Sequence, residues 1–242
     1  MFQKIFSGKT DIGLKRQNNE DAFVISAELD FCLAADGMGG AAAGELASKI
    51  FAESILEIFG KNTGGSEEEV LNRVQKSFLF ANKRILEHVA RYPDHTGMGC
   101  TAELLAFSDK GFVLGHIGDS RTYRLRNGQL QQLTQDHTLV QQQVDDGLIS
   151  RDKAKNHPLR NVILRAVGLN EQLALDLIRG KIISGDLFLL CSDGLTDMIQ
   201  DDQIQEILCC DMDIHGKVDK LIETAKAAGG DDNVTIVMSA VI

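Results

Sequence analysis

Apolar and polar positions change their spacing several times along the chain, and each change predicts a different element. The first 36 residues read as short strands with polar turns; the run at 21–26 leads through Ala-Glu-Leu-Asp into an apolar run at 31–35, which predicts a hairpin. From residue 44 to about 59 the period lengthens, and Leu46, Ala47, Ile50, Phe51, Ile55 and Ile58 share one helical face before Gly60 stops the run. Ser66 followed by three glutamates has the form of a capping box and opens a second helix to about residue 92. Its stripe is Val70, Leu71, Val74, Phe78, Ile85 and Val89.

Beyond Thr96 the alternation of strands returns at 100–107, 112–117 and 122–125, with Ser-Asp-Lys-Gly and Asn127-Gly128 as turns, predicting a meander of hairpins. Residues 139–169 are polar, helical at 140–146 and 151–155, and broken by Gly147 and Pro158. They are expected to form a surface flap inserted between strands. Strands follow at 173–178 and 187–191, helices at 202–210 and 217–228, and a closing strand at 233–242. This order fits α+β layers rather than βαβ units.

With 242 residues and no proline-rich or serine-rich linker, the chain is expected to be one domain, 1–242, carrying a flap at about 138–170. Lys and Arg total 25 against 35 acids, a net charge of −10 that argues against nucleic acid as the main partner. No window approaches the roughly 18 apolar residues of a membrane span. The five cysteines, at 32, 100, 191, 209 and 210, form no Cys-x-x-Cys, and three lie in apolar runs, so a cytoplasmic, reducing setting and no membrane insertion are expected.

The charge acquires meaning from where the acids fall. Asn19-Glu20-Asp21, Ala35-Asp36-Gly37, Gly118-Asp119-Ser120, Ser192-Asp193-Gly194 and Gly230-Asp231-Asp232-Asn233 each set an acid at the edge of an apolar strand. Carboxylates gathered at one sheet edge repel one another unless cations neutralise them, and an all-oxygen set suits Mg²⁺ or Mn²⁺ better than zinc. Rival motifs fail on inspection. No cysteine has an arginine six positions later, Asp211-Met-Asp213 lacks the threonine of a phosphotransfer loop, and Gly97-Met-Gly99 precedes a strand where a dinucleotide loop needs a helix. His137 and His157 read as structural or solvated flap residues.

Gly13-x-x-Arg16-x-x-Asn19-Glu20-Asp21, Asp36-Gly37-Met38-Gly39-Gly40 with Gly44-Glu45-x-Ala47-Ser48, Met98-Gly99-x-Thr101, His116-x-Gly118-Asp119-Ser120-Arg121, Leu133-Thr134-x-Asp136-His137, Ser192-Asp193-Gly194-Leu195-x-Asp197 and Asp232-Asn233-Val234-Thr235 occur in that order over nearly the whole chain. Together they resemble the bacterial branch of the metal-dependent PP2C (PPM) protein serine/threonine phosphatases. The resemblance implies two packed antiparallel β-sheets, a β-sandwich flanked by pairs of helices in four α-β-β-α layers.

It also implies that Asp36 bridges two Mn²⁺ or Mg²⁺ ions, that the Gly37 carbonyl ligates one of them, and that Asp193 and Asp232 complete the other. Glu20 and Asp21 would ligate directly or through water, Asp119 with Asp193 would hold a third ion as in bacterial relatives, and Arg16 would grip the substrate phosphate. The implied reaction is direct hydrolysis of phosphoserine or phosphothreonine by a metal-bridging water, on proteins phosphorylated by a partner serine/threonine kinase. The alternative is a catalytically silent, phosphoprotein-binding relative. Three positions depart from the family pattern: Met38 and Ala41 stand where relatives carry histidine, and Cys100 replaces a threonine, leaving no histidine assigned as leaving-group acid.

Overall fold

The computed structural model describes residues 2–39, 43–60 and 64–242. Strands β1 (Lys4–Asp11), β2 (Asp21–Ser26) and β3 (Phe31–Met38) come first, followed by helices α1 (Ala43–Phe59) and α2 (Glu67–Arg91). Strands β4 (Gly99–Phe107), β5 (Gly111–Ile117), β6 (Arg121–Arg126) and β7 (Gln129–Gln132) lead to α3 (Leu139–Asp145) and α4 (Arg151–Lys155). The chain finishes with β8 (Asp176–Lys181), β9 (Leu187–Cys191), α5 (Asp193–Thr196), α6 (Asp201–Cys209), α7 (Ile214–Ala227) and β10 (Val234–Val241).

The strands form two five-stranded antiparallel sheets, β1-β10-β9-β6-β7 and β2-β3-β4-β5-β8, stacked face to face. Helices α1 and α2 cover the second sheet, and α5 to α7 cover the first, giving the four expected layers. Successive side chains of a strand point to opposite faces, so an inner strand is apolar throughout. In β3, Phe31, Leu33 and Ala35 face α1 and α2, while Cys32 and Ala34 enter the inter-sheet layer with Leu105, Leu114 and Phe188. Strand β9 divides likewise, Leu187 and Leu189 facing the helices and Phe188 and Leu190 facing the other sheet.

The hairpin of β2 and β3 forms as expected, and so does the cap of α2. Ser66 Oγ accepts from Glu69 N–H, and Glu69 Oε2 accepts from Ser66 N–H at 2.8 Å. Asp213 is the N-cap of α7, accepting from Gly216 N–H at 2.7 Å, which accounts for the acids at 211–213 as helix chemistry.

The expected meander does not continue past β5. Strand β6 belongs to the other sheet, and the crossing is made at Gly118–Ser120, where Gly118 has φ +109° and an added Cβ would lie 2.4 Å from Thr101 Cβ. Leu173 and Leu175 pack against the α1–α2 core, but pairing with β5 starts only at Asp176, so the strand predicted at 173–178 begins later. Between β7 and β8 the chain passes from one sheet to the other through α3 and α4, capped by Thr138 and Ser150, and returns by bridges from Thr138 to Ile163 and from Cys100 to Val167.

Candidate metal centre

Strand registry gathers the acids. In the β2–β3 ladder Asp21 stands opposite Asp36, and Asp36 stands opposite Thr101 of β4. From the other sheet, β9 delivers Asp193 at the first turn of α5, while Asp232 lies two residues before β10, which pairs with β9. The sheet crossing adds Asp119. Thus Glu20, Asp21, Asp36, Asp119, Asp193 and Asp232 come from five chain segments and both sheets.

Small polar side chains next to these acids hold the two sheets in position. Ser192 Oγ donates to Asp21 Oδ2 at 2.8 Å and accepts from Thr235 N–H at 3.0 Å, joining β2 to β10. Asn233 accepts from Glu20 N–H at 2.8 Å and donates to the carbonyls of Ile12 and Asn18, fixing the segment that carries Arg16. Ser48 of α1 donates to the Glu20 carbonyl at 2.6 Å, and Gly37 N–H reaches the same oxygen at 3.2 Å. These residues stood in the motifs without a role; the only signal for them was a small hydroxyl or amide beside each strand-end acid.

Two glycines are required by space. A Cβ on Gly37 would lie 2.1 Å from the Gly44 carbonyl oxygen, and one on Gly44 would lie 2.7 Å from Glu20 Oε2. The end of β3, the start of α1 and the Glu20 carboxylate therefore meet closely, with the Gly37 backbone at their centre.

The acids are held far from their ordinary state. Burial, then the charges of Asp21 and Asp193, pushes Asp36 well above the usual carboxylate range; burial, then Asp119, does the same to Asp193. Burial lifts Asp21 to about 6 and Asp119 to about 7, and it also raises Glu20. Oδ1 of Asp21 and Oδ1 of Asp193 are buried with no hydrogen-bond donor. A buried carboxylate oxygen without a donor is costly, and a hard cation supplies the missing partner. Among the described residues no three His, Cys, Asp or Glu side chains close into a ready-made cage.

Arg16 lies at the rim, half exposed, its Nη2 donating to Asp232 Oδ2 at 2.5 Å. No histidine joins the cluster among the acids' described neighbours. His116 is fully buried against Glu103, its Nε2 donating to the Gln135 carbonyl at 2.8 Å; His137 takes the Gly118 N–H at 3.1 Å. His157 accepts from Leu159 N–H within its own turn. Met38 ends β3, whereas Gly40 and Ala41 lie outside the described residues. Cys100 is a core residue whose N–H donates to the Val167 carbonyl, and burial holds its thiol protonated.

Residues 14–228 match the family model described as Protein phosphatase 2C. The chain belongs to the protein phosphatase 2C family. Among PP2C relatives, the serine/threonine protein phosphatase PstP of Mycobacterium tuberculosis is 38% identical over 237 residues, covering 98% of this chain and 45% of PstP. The chain thus spans about half the length of that relative. Serine/threonine phosphatase stp of Listeria innocua is 35% identical over 234 residues, covering 95% of this chain and 93% of stp. The PP2C fold superposes on a crystal structure of M. tuberculosis PstP with a TM-score of 0.92 at 37% identity, covering 99% of each chain. A structure of the PstP catalytic domain in complex with two manganese ions gives 0.91 at 36% identity, covering 100% of each. None of the described helices is long and apolar enough to cross a membrane.

Proposed function

We propose that this PP2C chain hydrolyses phosphoserine and phosphothreonine in proteins at a centre of two Mn²⁺ or Mg²⁺ ions. The observation that carries this reading is the pair of donorless buried oxygens, on Asp21 and Asp193, inside a cluster of mutually repelling acids. Asp36, Asp193, Asp232 and the Gly37 carbonyl would hold the two ions, with Glu20 and Asp21 ligating directly or through water; Asp119 with Asp193 offers a third position. When bound, such ions neutralise phosphate charge and acidify a water at neutral pH.

The chain's own residues do the rest. Arg16, at the rim, offers a planar fork of donors to the phosphate oxygens. Ser192 and Asn233 keep the ligating segments in register across the two sheets. Hydrolysis is direct in this reading: Ser192 is buried and engaged on both sides, and Cys100 is buried and protonated, so neither is free to accept a phosphoryl group. Residues 138–170 act as a flap facing the substrate. The substrates are proteins phosphorylated by a partner serine/threonine kinase, in the cytoplasm, the reducing compartment suited to five free thiols.

Hydrolysis of p-nitrophenyl phosphate and of a phosphothreonine peptide, with and without Mn²⁺, tests the reading. Metal-dependent turnover abolished in Asp36→Asn and Asp193→Asn is expected. No turnover in folded, Mn²⁺-supplied protein would overturn it in favour of a silent binding module.

A further inference from the structure

Residues 147–165 run against the charge of the chain. They contain Arg151, Lys153, Lys155, Arg160 and Arg165 against Asp152 alone, a net +4, whereas the whole chain carries −10 and the remainder therefore −14. Three of these five cations have no carboxylate partner. Among the described residues Arg151 and Lys153 have no ion-pair partner and Lys155 Nζ donates to the neutral Gln200 Oε1 at 2.9 Å, whereas Arg160 stands 3.8 Å from Asp197 and Arg165 3.4 Å from Asp176. Exposed leucines are set among them, Leu148 at 71% and Leu159 at 45%.

The patch also borders the acid cluster. Arg160 meets Asp197, the C-cap of α5, Lys155 meets Gln200, the N-cap of α6, and α5 opens with Asp193. Asp197 lies four positions beyond Asp193 along this turn, about 6 Å of axial rise at ~1.5 Å per residue. An extended peptide advances about 3.3–3.6 Å per residue, so a side chain two to four residues from a bound phosphoresidue comes within reach of Arg160 and Lys155, and Arg151 and Lys153 lie in the same short helix as Lys155.

We propose that this basic surface selects acidic side chains two to four residues from the phosphorylated Ser or Thr, making acidic phosphoprotein segments the preferred substrate class. The proposal rests on the phosphatase reading above. A protein of net −14 elsewhere repels such segments, and a local cationic patch offsets that repulsion where the peptide seats. A nucleic acid would meet the same repulsion over a longer contour, and the exposed leucines offer it nothing.

Steady-state kinetics on three phosphothreonine peptides, flanked by Glu, Gln or Lys at the second to fourth positions, tests this. Wild type is compared with Arg151→Gln/Lys153→Gln/Lys155→Gln and with the corresponding triple Glu variant. At low salt the Glu-flanked peptide should exceed the Gln-flanked one about tenfold in kcat/KM, chiefly through KM, as three exposed ion pairs acting together allow. The preference should vanish in the Gln variant, shift toward the Lys-flanked peptide in the Glu variant, and shrink as salt screens it.

Equal kcat/KM on all three peptides, or a preference that survives both variants, overturns the proposal. p-Nitrophenyl phosphate, which has no flanking residues, reports separately whether the acid site works. Should nothing be hydrolysed, the phosphatase reading fails, and fluorescence anisotropy of the labelled peptides on Asp193→Asn still decides the surface: tighter binding of the Glu-flanked peptide supports it and equal binding refutes it. Tighter binding of a single-stranded oligonucleotide, lost in the Gln variant, reassigns the patch and also refutes it.

Discussion

Replacing Gly37 by alanine tests the close approach that holds the Gly37 carbonyl beside Glu20 and the start of α1. Its φ lies outside the left-handed region, so alanine meets no backbone strain there; the conflict is purely spatial. The new methyl would stand 2.1 Å from the Gly44 oxygen, 2.4 Å from the Gly44 carbonyl carbon and 2.6 Å from the Glu20 oxygen, all of them backbone atoms. Relieving such overlaps requires the end of β3 and the start of α1 to part by about 1 Å. Overpacking of this kind costs about 1–3 kcal/mol. In a domain of this size that lowers Tm by roughly 2–4 °C per kcal/mol. A displacement of about 1 Å at a reacting centre costs on the order of 100-fold in rate. Gly37→Ala should therefore remain folded, melt a few degrees lower by circular dichroism, and lose about two orders of magnitude in kcat on p-nitrophenyl phosphate. Mn²⁺ affinity measured by calorimetry should fall with it. Wild-type kcat and wild-type Mn²⁺ affinity in the folded variant would refute the assignment of this carbonyl to the centre.

Three further outcomes are expected. Mn²⁺ at about 100 times its Kd should stabilise the wild type by about 2.7 kcal/mol in thermal melts; Asp193→Asn should lose most of that rise while melting no lower than wild type in chelator, because it removes an acid whose charge is disfavoured by burial. Arg16→Ala should raise KM for phosphopeptides by roughly tenfold, the loss of a charge-assisted contact of about 1.5 kcal/mol; unchanged KM in steady-state assays would remove Arg16 from phosphate binding. Against the effect of burial, the Glu103 charge raises His116 to about 9, so His116 contributes stability that is complete below about 6.5 and is lost as pH rises through 9, while burial raises Glu103 and sets its own contribution against this. Burial and the His116 charge lower His137 to about 4, so its contribution is complete above 6.5 and is lost as pH falls through 4. Urea denaturation should show the alkaline decline flattening in Glu103→Gln; a decline identical to wild type would count against the pair.

The elements with a strong local period were legible: the 21–36 hairpin, the stripes of α1 and α2, and the Ser66 cap all form where spacing and capping chemistry put them. The strand-end acids were legible for the same reason, since an apolar run that stops at an acid and a glycine ends a buried strand with a charge at the sheet edge. What local period cannot carry is the choice of neighbour. Strands β5 and β6 would look the same whether they paired or parted, and only the crowding of Gly118 against Thr101 reveals the crossing. Strand β7, at the sheet edge, is written in glutamines and leaves little apolar signal. The bonds from Ser192 to Asp21 and from Asn233 to Glu20 join residues 171 and 213 positions apart, beyond any window of sequence.

Strand β10 lies between β1 and β9, and the residues leading into it, Asp232 and Asn233, close the acid cluster. If the acid cluster is the metal centre proposed above, a ribosome translating this polypeptide holds an incomplete centre until β10 emerges and inserts between its two neighbours. On the proposed reading, hydrolysis would then be an all-or-nothing signature of a domain translated through β10, and a copy terminated before residue 232 would carry none of it into the cell.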